Sequence, residues 1–207
     1  MILSFHPCFV GDKNIICAGR EPDAEDLNAI KKADAVILPQ GCKESLYKIV
    51  SDNTLNVFPN YDAKFKYPGK IGQIKLFKKT KIKHPHTKSF NKVKNFTDKF
   101  SITFSKLPMQ LPIVFKFDWG GEGDTVFLVK SMEQLDGLLK KAVKYEKSGH
   151  SGFMIQEFVP SLNKSLRVVV INRKIISYWR ICNKDELFCT SIKNVTALPL
   201  LPEEKHL

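Results

Sequence analysis

A run of strand-like segments in the second half of the chain narrows the fold more than any other feature. PIVFKFDWGGEGDTVFLV occupies residues 112–129, and GFMIQEFVP and SLRVVVINRKIISYWR follow it at residues 152–160 and 165–180. Apolar residues flank a glycine-rich centre in the first piece, which predicts a hairpin with Gly120, Gly121 and Gly123 at its tip. Ser131 and Gln134 then form an S-x-x-Q capping box, and Met132, Leu135, Leu138, Leu139, Ala142 and Val143 recur at helical spacing. An amphipathic helix is therefore expected to about Lys147, with Gly149 just past its end. Strands are expected over residues 152–159, 166–171 and 174–179, the last two joined by a tight turn at Asn172 and Arg173.

The first sixty residues have a different rhythm. Strand-like runs at residues 1–5, 15–18, 35–38 and 55–58 alternate with helical stretches. One helix is expected from Pro22 through Ala24, Leu27 and Ile30, and another carries Leu46, Tyr47, Ile49 and Val50. Strands alternating with helices predict a small parallel layer, so the fold class is α/β, with α+β character in the second part. The expected organisation is an α/β domain over residues 1–60, a basic linker and helix region over 61–111, and a further lobe over 112–207. Within the middle region, Lys70 opens a helix whose Ile71, Ile74 and Phe77 share a face, and residues 100–104 suggest a strand.

Composition limits the function classes. With 43% hydrophobic residues among 207, the chain has enough apolar material for a sizeable core. It has no apolar run long enough to cross a membrane. Five cysteines, Cys8, Cys17, Cys42, Cys182 and Cys189, have no C-x-x-C spacing, which fits packed free thiols in a reducing cytoplasm. The net charge of +12 is regional: residues 64–106 hold thirteen lysines against one acid, Asp98, and the rest of the chain sums to zero. Such a field favours an anionic partner, while a solvated lysine face is the plain alternative.

Several residues in the strand-rich half have the chemistry of an anion site. Glycines at the hairpin tip let a ligand approach backbone amides closely, although a simple turn explains them equally well by themselves. Lys116 stands in an otherwise apolar strand, where an unpaired ammonium is costly, so it should point at a carboxylate or an anionic ligand. Glu157, after Phe153, Met154 and Ile155, resembles the edge of a slot for a flat ring, with backbone groups at Glu157 and Val159 placed to read a base edge. Arg167 and Arg180 are suited to bidentate contact with phosphate.

Taken in order, KIGQIKLFKKTKIKHPHT, the hairpin segment and GFMIQEFVPSLNKSLRVVVINRKIISYWR resemble the ATP-grasp superfamily, most of all its ribosomal-protein glutamate ligase branch, over residues 70–194. The resemblance implies an ATP-grasp domain in which Lys70 and Lys116 reach the nucleotide phosphates. Gly120, Gly121, Glu122 and Gly123 would form the loop that closes over them. Gln156, Glu157, Phe158 and Val159 would hold adenine, and Arg167 and Arg180 would face the transferred phosphoryl group. It also implies ATP and magnesium as cofactors, and a ligase that joins a carboxylate to an amine through an acyl phosphate. The family's usual ribose acid is replaced by Ser165, and the segment after Thr190 and Ser191 reads Ile192-Lys193-Asn194-Val195. The family's metal ligands, an acid followed by an E-x-N element, have no counterpart before Leu207, so no metal ligand is identified and a fragment or truncated form of a longer ligase is expected.

The alternative is a non-enzymatic basic module that binds RNA or an acidic protein through residues 64–106. Phe65, Tyr67, Phe77, Phe90, Phe96, Phe100 and Phe104 are interleaved with its lysines and would serve for stacking. The same aromatics at helical and strand spacing equally describe a core. His84 and His86 flank Pro85 without a third metal ligand at motif spacing.

Overall fold

The computed structural model describes residues 1–17, 19–100, 107, 109–121, 123–160, 164–171, 173–181 and 196–199. It divides into two compact units, Met1–Pro68 and Gly69–Leu207.

The first unit is the parallel layer that the alternating pattern predicts. Its elements are β1 (Ile2–Ser4), β2 (Lys13–Asn14), α1 (Ala24–Lys31), β3 (Ala35–Ile37), α2 (Glu44–Asn53), β4 (Val57–Phe58) and α3 (Asp62–Lys66). The strands lie in the order β2-β1-β3-β4, all parallel. Leu3, Val36 and Leu38 from the sheet meet Ile30, Leu46 and Val50 from the helices in one core. Two expectations need correction. The strand read at residues 15–18 lies earlier, at Lys13–Asn14, with Ile15 just past its end donating its amide to the Ser4 carbonyl at 2.9 Å and packing against the core. The proline-bounded stretch after Asn60 is not bare linker: it forms α3, because Tyr61 and Phe65 pack their rings on Tyr47. The Tyr47 hydroxyl adds a hydrogen bond to Asp62 at 2.8 Å.

The helix α1 starts later than Pro22, at a cap that the residues D-x-x-D supply. The Asp23 carboxylate accepts from the amides of Glu25 and Asp26, and Asp26 accepts in return from the amide of Asp23 at 2.9 Å. Arg20 closes the arrangement with two bonds to Asp26, at 2.5 and 2.9 Å.

The second unit begins with α4 (Gly69–Lys79), β5 (Thr87–Phe90) and α5 (Val93–Thr97). It continues with β6 (Ile113–Phe117), β7 (Val126–Val129), α6 (Met132–Lys147), β8 (Phe153–Glu157), β9 (Lys164–Ile171), β10 (Lys174–Ile181) and β11 (Thr196–Pro199). One antiparallel sheet has the order β5-β8-β6-β7, and another the order β11-β10-β9. Side chains alternate across the first sheet. Phe90, Ile113, Phe115, Phe117, Phe153 and Ile155 join Phe96 of α5 and Leu135, Leu139 and Ala142 of α6 in the main core. Aromatic rings dominate it, with Phe115 and Phe153 stacked at 4.9 Å. Phe90 and Phe96, which the basic-module reading offers for stacking on bases, are buried there. The other sheet face carries Thr87, Val114, Lys116, Met154 and Gln156, and α4 covers part of it by packing Ile71 and Ile74 on Met154.

Residues 87–97 contribute a strand and a helix that the sequence does not announce. The helix α5 starts where the Glu146 carboxylate of α6 accepts from the Val93 amide at 2.6 Å. Of the strand read at residues 100–104, only Phe100 lies within the described residues, and it packs against the core outside any strand.

Candidate functional site

Two of the expected parts, Lys70 and the glycine loop, meet where β6 ends and α4 begins, whereas Glu157 lies at the other end of β6, opposite Ile113, and Arg167 and Arg180 belong to the second sheet. Asp118, one residue past β6, ties the first two together. Its carboxylate accepts from the Ile71 amide at 2.7 Å, inside the first turn of α4, where unpaired helix amides need an acceptor. Its own amide donates to the Gly152 carbonyl at 3.0 Å, just before β8. Gly69 has φ +64, and a Cβ there would stand 2.6 Å from an Asp118 carboxylate oxygen. Glycine is thus required for the helix to start against Asp118, and that contact places Lys70.

From this position the Lys70 ammonium donates to the carbonyls of Trp119 at 2.6 Å and Gly120 at 3.1 Å, and to the Thr125 hydroxyl at 3.3 Å. The hydroxyl in turn donates a hydrogen bond to the Trp119 carbonyl at 2.8 Å. Gly120 sits at φ +80, where a Cβ would meet Thr125 at 2.5 Å, so the loop closes on itself only with glycine at that position. Backbone bonds from Asp124 to Gly121 and from Val126 to Gly123 finish the turn. Glu122 lies outside the described residues.

Lys116 is half-buried on the sheet face that α4 partly covers, and the carboxylate partner that its burial suggested is not there. It donates instead to the neutral Gln156 amide oxygen at 2.7 Å. Gln156 therefore points its side chain along the sheet, and its amide nitrogen donates to Thr87 at 2.7 Å. Burial pushes the Lys116 ammonium below the ordinary lysine range, and the nearby charge of Lys70 pushes it further. Lys70 is lowered as well, by burial that Asp118 partly offsets. Burial disfavours both charges, and Lys70 adds to the burden on Lys116, so the site is one that a polyanion would relieve.

At the end of β8, Glu157 is exposed; its amide donates to the His86 carbonyl at 2.9 Å and its carboxylate accepts from the His86 amide at 3.2 Å. The Glu157 amide is thus already engaged by its strand neighbour. Phe158 is half-buried and Val159 is exposed. The histidines around Pro85 serve the backbone: His86 extends the β5 pairing, and the His84 ring lies 2.7 Å from the Ile82 carbonyl. Arg167 and Arg180 occur on paired strands, opposite Tyr178 and Ser165 respectively, so both belong to one face of the second sheet. Among the described residues no group of three or more His, Cys, Asp or Glu could hold a metal ion.

Sequence reasoning missed three contributors: Asp118, Thr87 and Thr125. A carboxylate ending an apolar strand was a usable signal for Asp118, since such a group needs a partner. The two threonines carry no signal, because their roles depend on residues far away in the chain.

A family model described as the RimK-like ATP-grasp domain matches residues 68–205. A coenzyme gamma-F420-2:alpha-L-glutamate ligase of Methanocaldococcus jannaschii is 27% identical over 119 residues, which cover 54% of this chain and 37% of that protein. The chain thus spans little more than a third of the curated relative that it matches. Among solved structures, a RimK-domain ATP-grasp protein of Sphaerobacter thermophilus aligns with TM-score 0.64 at 14% identity, covering 98% of this chain and 76% of the other. An N5-carboxyaminoimidazole synthetase of Staphylococcus aureus complexed with ADP aligns with TM-score 0.59 at 15% identity, covering 87% and 47%.

Proposed function

The chain belongs to the RimK-like ATP-grasp family, and from that premise we propose that its second unit binds ATP and serves a carboxylate–amine ligase. The observation that carries this reading is the half-buried Lys116, whose hydrogen-bond partner among the described residues is a neutral amide and whose charge is further disfavoured by Lys70, itself bound to the glycine loop. A buried cation without a counter-charge is costly unless a ligand supplies one. A nucleotide polyphosphate supplies several negative charges together.

In the proposed reaction the terminal phosphoryl group of ATP passes to an oxygen of a substrate carboxylate, and ADP leaves. An amine then attacks the acyl carbon, phosphate departs, and an amide remains. Lys116 and Lys70 would hold the phosphates, and the backbone of Gly120, Gly121 and Gly123 would cover them. Arg167 and Arg180 would face the transferred group, and Glu157, Phe158 and Val159 would border adenine, while the Gln156 side chain is turned along the sheet to Lys116 and Thr87. Prepositioned charge of this kind lowers the barrier because it is already oriented before the phosphoryl group moves. Magnesium commonly accompanies such chemistry, but the described residues offer it no cluster of ligands, so no step here is routed through the metal. The basic residues 64–106 favour an acidic substrate such as an acidic peptide. The first unit is read as the domain that precedes the nucleotide-binding lobe in these enzymes. Cysteine usage supports a reducing, cytoplasmic setting, and among the described residues no helix is long and apolar enough to cross a membrane.

Thermal unfolding tests the proposal. ATP or ADP at millimolar concentration should raise Tm by mass action, and Lys116→Ala should remove the rise. An unchanged Tm for the unmodified protein would contradict nucleotide binding.

A further inference from the structure

The Lys116 side chain ends a chain of three buried or half-buried polar groups whose donors and acceptors are matched in one direction. The Thr87 hydroxyl donates to the Pro85 carbonyl at 2.7 Å, so its single proton is spent and it can only accept from Gln156. The Gln156 amide is therefore oriented with its nitrogen toward Thr87, at 2.7 Å, and its oxygen toward Lys116, also at 2.7 Å. Thr87 is 2% exposed and Gln156 8%, so water is poorly placed to replace either partner. The three residues come from three adjacent strands, β5, β8 and β6, and share one face of the sheet.

We propose that Thr87 and Gln156 are positioning residues for Lys116: the threonine fixes the amide, and the amide holds the ammonium in one place while leaving its charge uncancelled. The proposal rests on the nucleotide reading above and adds how the site keeps a lysine both ordered and available. A glutamate at position 156 would make a bond of the same length but neutralise Lys116, and would add a negative charge beside the phosphates. A glutamine orders the lysine without that penalty. With one of its three protons held by Gln156, the ammonium keeps two for the ligand.

The test compares ATP with adenosine, since only ATP carries the phosphates that Lys116 would meet. Calorimetric titrations would be made on the whole chain and on Thr87→Val, Thr87→Ser and Gln156→Glu. Thr87→Val keeps the side-chain shape but removes the acceptor, which leaves the buried amide nitrogen without its partner and the amide no longer held against Lys116. ATP affinity should fall about tenfold, the scale of one hydrogen bond to a charged group, with adenosine affinity unchanged. Thr87→Ser keeps the hydroxyl and should bind ATP as the unmodified chain does. Gln156→Glu should fold normally and lose ATP affinity by at least as much as Thr87→Val. Parallel losses for ATP and adenosine would reduce Thr87 to a packing role and overturn the proposal. So would unchanged ATP binding in Thr87→Val, or undiminished ATP affinity in Gln156→Glu. If the unmodified chain bound ATP no better than adenosine, the nucleotide reading would fail and this proposal with it. That outcome is distinct from normal ATP selectivity that survives every substitution, which would overturn the positioning role alone.

Discussion

Each unit buries a charge, and the two are treated in opposite ways. Asp26 in the first unit is fully buried and completely compensated: Arg20 makes two bonds to it, and the backbone amide of Asp23 makes a third. Those bonds, Arg20 foremost, hold its carboxyl below the ordinary range. Lys116 in the second unit is half-buried, has a neutral partner, and lies near another cation. Its charge is disfavoured where it stands. Compensation of the first kind builds a helix start; the lack of it in the second leaves electrostatic work for a ligand. Asp26 follows the rule that buried ions are paired, and Lys116 follows it only with an anionic ligand in place.

Substitution should separate the two cases sharply. Asp26→Ala should cost about 2–3 kcal/mol in urea unfolding, somewhat less than breaking a fully buried pair because Arg20 keeps access to water. Nucleotide affinity should not change with it. Gly69→Ala should cost about 1–2 kcal/mol, because alanine is strained at that positive φ and its Cβ would press on Asp118. Unlike Asp26→Ala, it should also weaken ATP binding in titration, since Asp118 and Gly69 together place Lys70.

The smallest effect is in pH dependence, where both charges make stability rise with pH, but in different windows and for opposite reasons. Asp26 has a lowered folded pKa, so its contribution is present above the ordinary carboxylate value and is lost as pH falls through the lowered one. Lys116 is also lowered, so here too the unfolded chain binds the proton more tightly, but for a lysine the protonated form is the charged one that burial disfavours. The cost of its charge is borne at neutral pH and recovered as pH rises through the folded value toward the ordinary one. Urea midpoints for the unmodified chain and Lys116→Ala should therefore converge as the solution is made alkaline.

What the sequence disclosed follows from how local each signal is. The apolar stripe and Ser131 cap of α6, and the shared face of Ile71, Ile74 and Phe77, lie within one helix each and are where they were expected, although the Gln134 side chain accepts from the Lys130 amide and so does not close the expected box on Ser131. The hairpin of β6 and β7 was similarly plain, with a glycine tip between two apolar runs. By contrast, β5 is the short segment Thr-Lys-Ser-Phe, too brief for a clear alternation, and α5 depends on a cap from Glu146 in another element. The D-x-x-D box at Asp23 and Asp26 is a local signal that the reading from Pro22 passed over, and it starts α1 just beyond that proline. At the site, the types of Lys70, Lys116 and the glycines pointed to an anion, but the partner of Lys116 did not follow from its neighbours. Gln156 faces Lys116 because β8 pairs with β6 in one register, a relation between segments far apart in the chain.

The central claim is that the charge on Lys116 is kept for a nucleotide, and one paired measurement on Lys116→Ala addresses it most directly. ATP affinity by calorimetry should fall about 10- to 100-fold, the range for a lost hydrogen bond to a charged group. The unfolding free energy of the same variant in urea should stay level or rise, since a disfavoured buried charge has been removed. Unchanged ATP affinity together with a loss of stability like that of Asp26→Ala would show Lys116 to be a structural cation, and would contradict the account.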